Sequence, residues 1–341
     1  MKATFLTSAA VVALTASVAE GQTLTINSFG GAYEEAHRDC VIAPFEEETG
    51  ATVQIVTAYS ADAFAQLRAQ AAAPQFDVIH FSGGQEIVGA GEGLLAPIDA
   101  SKLENVDALY DFAKANLEEG QGPAYSIAAI GLLHNTETAP AAPSAWADLM
   151  DPAYADHVVL TDISNGYGML SFLMLNQVQG GDLENIQPGL DAVAELLENG
   201  AIVVTTSPEI QQEFAQNDAW IAPYASDYAF TLREAGLPVA FVQGEEGTPA
   251  SFITANLVAN RPNEDLALRF IDRTISAEAQ ACFAEALRYS PTNAEVELPE
   301  EVAADLAYGE EGVADLIRFD PVVIEANRSD WTDRWNRTIA R

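Results

Sequence analysis

Lysine is nearly missing from this sequence. Of 341 residues only Lys2, Lys102 and Lys114 are lysine, and Lys+Arg total 15 against Asp+Glu 51, a formal net charge of -36. A chain so poor in cations lacks the basic footprint that nucleic acid requires, and phosphate would be repelled. Acidic, lysine-poor surfaces suit salty media, where charges are screened within about 8 Å or less; a field that gathers cations is the other reading. Cysteine is scarce as well, with Cys40 and Cys282 alone and no C-x-x-C, so a structural zinc site has no support. His37, His80, His134 and His157 show no H-E-x-x-H spacing, and neither a metal nor a cofactor is expected. No stretch approaches the roughly 18 apolar residues of a membrane span.

What is present begins with Lys2, the apolar or small run "FLTSAAVVALTASV" and "SVA" before Glu20. That is the pattern of a cleaved export signal over residues 1–19, with a buried N-terminal helix as the alternative. In the oxidising space this implies, Cys40 and Cys282 read as a disulfide, with two free thiols as the alternative. The length and the 49% hydrophobic content suit two domains. Strand-like runs alternate with helical patterns: "TLTINSF" before "YEEAHRDCVIAPFEEETG", "ATVQIVTAY" before "SADAFAQLRAQAAA", "FDVIHF" before "QEIVGAGEG". This order predicts an α/β fold with largely parallel sheets. Ser207-Pro208 with Glu209, and Pro262-Asn263 before Glu264, are helix starts.

Enzyme signatures fail one by one. "HFSGGQ" places Ser82 where a nucleophile elbow would need glycine two residues earlier, and His80 stands there. Ser82 and Gly83 fit better as N–H donors at a strand end. "GAGEGLL" follows a helical segment instead of a strand, so it is a helix end and not a dinucleotide fingerprint. Asp162 ends "LTD" ahead of Asn165 at a helix start, and "APYASDYAF" sets Tyr224, Asp227 and Tyr228 behind an apolar strand. Aromatics with one acid can wall a pocket for a cationic or amphipathic solute. Aromatic-bearing turns at strand ends, without a nucleophile, point to binding over catalysis.

The segments "SFGGAYEEAHRDCVIAPFEEETG", "FDVIHFSGGQEIVGAGEGLLAPID", "AIGLLHNT", "PSAWADLMDP", "APYASDYAFTLREAGLPVAFVQGEEG", "YSPTN" and "WTDRWNRTIAR", in this order, make the chain resemble the periplasmic solute-binding proteins of ABC transporters. The similar branch is the spermidine/putrescine-like one. The resemblance implies a two-lobed type II clamshell: residues 22–127 plus 254–293 form one lobe, and 128–253 plus 294–341 the other. It also implies a small-molecule solute in the interlobe cleft, a membrane permease as partner, a periplasmic monomer, and Cys40 and Cys282 together in the first lobe. Carried over position by position, Phe29 and Tyr33 become ring walls, Ser82 a ligand contact, Tyr224 a further wall and Tyr289 a cleft aromatic. Where the family places a further aromatic and acids, this chain has Gly84, Ile163, Gly166, Ile253 and Ala255, with Asp162, Asn165 and Asn256 nearby. A buried ammonium without a carboxylate is costly, so a smaller amine or an amino-acid-like solute is expected beside the polyamines. Two rivals follow: ferric iron on Tyr224 and Tyr228, and a secreted hydrolase or lyase using Asp162 and Asp227 as acid and base.

Overall fold

The structure, a computed structural model, describes residues 22–314 and 316–340; the expected export signal lies outside the described residues. Strands β1 (Thr23–Ser28), β2 (Thr52–Thr57) and β3 (Val78–Phe81) pair in parallel with β1 in the middle. A helix follows each strand: Gly31–His37 after β1, Ser60–Ala69 after β2 and Gln85–Gly91 after β3. The first runs on through one π-helical stretch, Arg38–Ile42, to Ala43–Thr49. Gly50, left-handed at φ 69°, then ends it. All four residues of β3 are buried, because apolar clusters cover both of its faces. Phe45, Phe270 and Ile127 belong to one cluster, and Phe64, Phe76 and Phe81 to the other.

Two long strands carry the chain out of this first core. β4 (Ala124–Asn135) is buried along its whole length. Its first half pairs antiparallel with β9 (Thr248–Leu257), up to Ala129 opposite Ala250. From Ile130 onward its partners are β7 (Ile221–Ala225) and β8 (Val239–Val242). Gly131 sits at this change of partners, where a Cβ would strike the Val242 carbonyl. The nine-stranded sheet is therefore mixed. Its parallel part is confined to strands β1–β3 and an edge pairing on β9, since a strand that crosses between cores returns antiparallel.

The second core lies beyond that change. The parallel pair β5 (Val159–Thr161) and β6 (Ile202–Val204), β7 and the helices Gly166–Val178 and Gln187–Glu198 build it around Trp146, Phe172 and Tyr224. Helix Gly166–Val178 is apolar on every side and mostly buried. The terminal helix Pro321–Ile339 inserts Trp331 and Trp335 into this core. Of the two expected helix starts, Glu264–Thr274 begins after Asn263, while Ser207–Gln216 is capped one residue early by a Thr206/Glu209 capping box. Cys40, on the π-helical stretch, and Cys282, on helix Ala277–Leu287, form a disulfide with Cα atoms 5.5 Å apart. Among the described residues no helix is long and apolar enough to cross a membrane.

Candidate functional site

The loops that leave β1, β2 and β3 lie at the carboxyl ends of parallel strands, where open α/β sheets meet ligands. In the first loop Gly30 takes φ 77°, and Phe29 and Tyr33 on either side of the turn pack with tilted rings, centroids 4.8 Å apart. The second loop adds Tyr59, stacked 6.3 Å from Phe29. Tyr33 extends the ring series to Tyr289, 6.1 Å away and edge-on, and its hydroxyl bonds that of buried Tyr125 on β4.

Tyr289 packs against the first core and faces rings of the second. Its hydroxyl lies 3.5 Å from that of Tyr167, at the start of helix Gly166–Val178. Tyr167 meets Tyr224 edge-on at 5.3 Å, and Tyr224 meets Tyr228 at 5.4 Å. Asn165 caps that helix by accepting from the amides of Tyr167 and Gly168, and it donates to the Tyr224 hydroxyl at 3.3 Å. It is a positioning residue for two rings.

Asp227 stands in the first turn of helix Ser226–Glu234, among these hydroxyls. Its Oδ1 is closed off from solvent and has no hydrogen-bond partner. Burial pushes the carboxyl up to about 7; hydrogen bonding from its own amide and from the Tyr289 hydroxyl pulls the other way. Burial, reinforced by the charge of Asp227, also raises Tyr167 and Tyr289. The phenols are therefore neutral rings and hydroxyls around a single acid. An arrangement of this kind can desolvate an ammonium and still pair it.

The expected residues separate into two groups. Phe29, Tyr33, Asn165, Tyr224, Asp227 and Tyr289 come together. Asp162 is engaged elsewhere: its Oδ2 accepts from the Trp335 indole at 2.8 Å and its Oδ1 from the Ser164 amide at 2.9 Å. Asn256 is fully buried inside the sheet, bonded to the Gly122 amide, the Ile79 carbonyl and Thr254, so it binds backbone and not a solute. Ser82 is held by Ser60 through both hydroxyl and amide, and its carbonyl accepts from Ser251. The Gly83 amide is taken by the Gln85 side chain. Both have polar groups already bonded within the protein. Gly84 has no room for a side chain, because a Cβ there would run into the Pro321 ring.

Each rival set includes a residue whose polar atoms the protein itself already engages. Tyr228 donates to the Ser207 carbonyl at 2.5 Å and Tyr224 shares its hydroxyl with the Ser207 side chain at 2.7 Å. Burial raises Tyr228 to about 12, helped by Tyr224 and Asp227, which opposes the phenolate that ferric iron would need. Asp162, with both oxygens engaged, leaves Asp227 without an acid–base partner. Tyr167 and Tyr59 are members of the ring series that motif reading passes over. The available signal was a lone ring beside a glycine or a serine at a helix start. A surface hollow of about 750 Å³, lined by Thr25, Gln54, Pro74 and Arg261, lies away from this cluster toward the start of β1. Its arginine is committed to Asp77 and the Pro74 carbonyl.

Two cores joined by crossing strands, with a polar ring-lined site between them, define a class of solute-binding clamshells. The profile of bacterial extracellular solute-binding proteins matches residues 41–309, and the chain belongs to that family. It is 26% identical over 223 residues to the spermidine/putrescine-binding periplasmic protein of Escherichia coli, covering 63% of each chain. That is less than two thirds of the relative's length. It is 24% identical over 293 residues to a gamma-aminobutyric acid-binding protein of Pseudomonas aeruginosa, covering 82% of this chain and 79% of the relative. Among solved structures, an ABC transporter protein from Clostridium perfringens superposes with a TM-score of 0.80 at 26% identity, covering 92% of this chain and 99% of the other. The two-lobed α/β fold is thus shared over almost the whole chain.

Proposed function

We propose that this protein is an exported, periplasmic binding protein, active as a monomer. It captures a small amine-bearing solute, polyamine-like or amino-acid-like, between its lobes and hands it to the permease of an ABC transporter without chemical change. The lobes are 22–127 plus 254–293, and 128–253 plus 294–341. The observation that carries the reading is the enclosed, unpartnered Oδ1 of Asp227 among tyrosines supplied by both cores. The names of the relatives in Escherichia coli and Pseudomonas aeruginosa support an amine. A ligand held by Asp227 on one side and by Tyr33 and Tyr289 on the other has a differential affinity for the closed form, which is what shifts a clamshell toward closure.

Calorimetric titration with spermidine, putrescine, 4-aminobutyrate and the common amino acids tests the reading. Saturable heat with an amine, and recovery of that amine unaltered, is the expected result. Binding of sugars or anions with no response to any amine would overturn it.

A further inference from the structure

Asp227 is surrounded by rings and not by acids. Among the described residues it is the one carboxylate whose charge bears on the hydroxyls of Tyr167, Tyr224, Tyr228 and Tyr289. Ile163 and Ala255, at two positions where the resemblance implies an acid, are buried apolar side chains. Asp162 has both oxygens engaged by Trp335 and Ser164. Outward from Asp227 the lining stays aromatic: Tyr289, then Tyr33 at 6.1 Å, Phe29 at a further 4.8 Å, and Tyr59 at a further 6.3 Å. Tyr59 is 68% exposed, the one ring among the exposed large hydrophobic side chains of the described residues. A ring left in water at the outer end of a continuous aromatic series is surface that an apolar ligand body would cover.

Resting on the amine reading above, and narrowing it away from polyamines and ω-amino acids, we propose that the preferred solute carries one ammonium, seated against Asp227, and an apolar alkyl or aryl body lying along Tyr289, Tyr33, Phe29 and Tyr59. The site then takes a monoamine in preference to a diamine of the same length. The second nitrogen of a five-carbon diamine stops beside Tyr33 and Phe29, short of the water at Tyr59. There it finds ring faces, and the carboxylate next to Tyr33 in the chain, Glu34, already accepts from the Thr57 hydroxyl at 2.8 Å. Cation–π attraction recovers only part of the cost of desolvating an ammonium. The same argument disfavours a carboxylate at the far end, because Arg288, next to Tyr289 in the chain, is already paired with Asp305, and Arg318 with Glu86.

The test is a pair of calorimetric titrations at pH 8, with n-pentylamine and 1,5-diaminopentane, which match in length and differ by one ammonium. The monoamine is expected to bind tighter by about tenfold or more. Equal or tighter binding of the diamine, or of 4-aminobutyrate over n-pentylamine, overturns the single-ammonium, apolar-body proposal and leaves the amine reading standing. Silence from these three and from spermidine overturns the amine reading itself. Tyr59→Ala, at an exposed position, is expected to weaken n-decylamine, which is long enough to pass Phe29, severalfold while leaving n-propylamine unchanged. An unchanged affinity for n-decylamine would overturn the placement of the body.

Discussion

Each core buries an ionisable centre, and the two differ in what faces them. In the first core His37 and His80 stand edge to face, 4.8 Å apart, among Tyr33, Tyr125, Phe270 and Phe283. Burial drives His80 down to about 4; burial drives His37 well below its ordinary value, aided by repulsion from His80 and Arg38. In the second core burial drives Asp227 the other way, up to about 7. The physical cause is shared: a low-dielectric site favours the neutral form of either group. The imidazoles are sealed in by rings of their own core, so they serve as neutral packing. Asp227 lies among rings of both cores, so in the proposed function a cation reaches it when the lobes part. Function at a buried titratable group depends on whether its missing partner can arrive.

The largest effect should come from separating the cores. All four tryptophans, Trp146, Trp220, Trp331 and Trp335, belong to the second core, whereas the Cys40–Cys282 bridge ties the first. Replacing both cysteines by serine should cost about 3–5 kcal/mol, because the bridge closes a very long loop. Circular dichroism should then show an early transition that tryptophan fluorescence lags. Coincident curves would mean that the cores unfold as one unit.

Asp227→Asn comes next. Amine affinity at pH 8 should fall by about a hundredfold, which is near 3 kcal/mol, while the ligand-free protein gains stability. The sign follows from linkage. A carboxyl raised in the folded state gives stability that is complete below its unfolded value near 4 and is lost as pH rises toward about 7. The substitution should remove that slope and stabilise the free protein by on the order of 2–4 kcal/mol at pH 8. A destabilised, amine-binding variant would contradict the comparison.

The imidazoles should give a slope of opposite sense. Histidines depressed on folding give stability that is complete above about 6.5 and is lost as pH falls toward about 4, by about 3 kcal/mol for His80 alone. Neither nitrogen of His37 has a hydrogen-bond partner, so His37→Phe can keep the ring packing and remove a titration. Urea unfolding between pH 4 and 7 should show a shallower acid limb in that variant, with amine binding at pH 8 retained.

Much of this was legible from residues alone, and the reasons are specific. The βα alternation shows because strand and helix periods differ. Phe29, Tyr33, Tyr224, Asp227 and Tyr289 show because each is a ring or acid on a turn next to a strand or helix end. The limits are those of distance. Asp162 and Asp227 look alike locally, each an acid behind an apolar strand, and nothing nearby in the chain reveals that Trp335, 173 residues away, claims the first. Asn256 looks like a polar residue on a crossing strand, and its bonds to Gly122 and Ile79 are just as distant. The parallel sheets expected from the alternation are interrupted by β4 and β9 because sequence order does not record which strands run through both cores.

Asp162 therefore offers the smallest and sharpest discrimination, between two acids of one core. Its bonds to the Trp335 indole and the Ser164 amide tie the terminal helix to the turn between β5 and helix Gly166–Val178. Asp162→Asn keeps an acceptor for one donor and loses the charge, so it should cost about 1–2 kcal/mol of stability. Trp335→Phe should cost a similar amount, and the double variant little more, since both remove the same bond. Amine affinity should be unchanged in all three, because both Asp162 oxygens already bond within the second core. A variant that kept its stability and lost its solute would place the carboxylate in the cleft and move the anchor of the site away from Asp227.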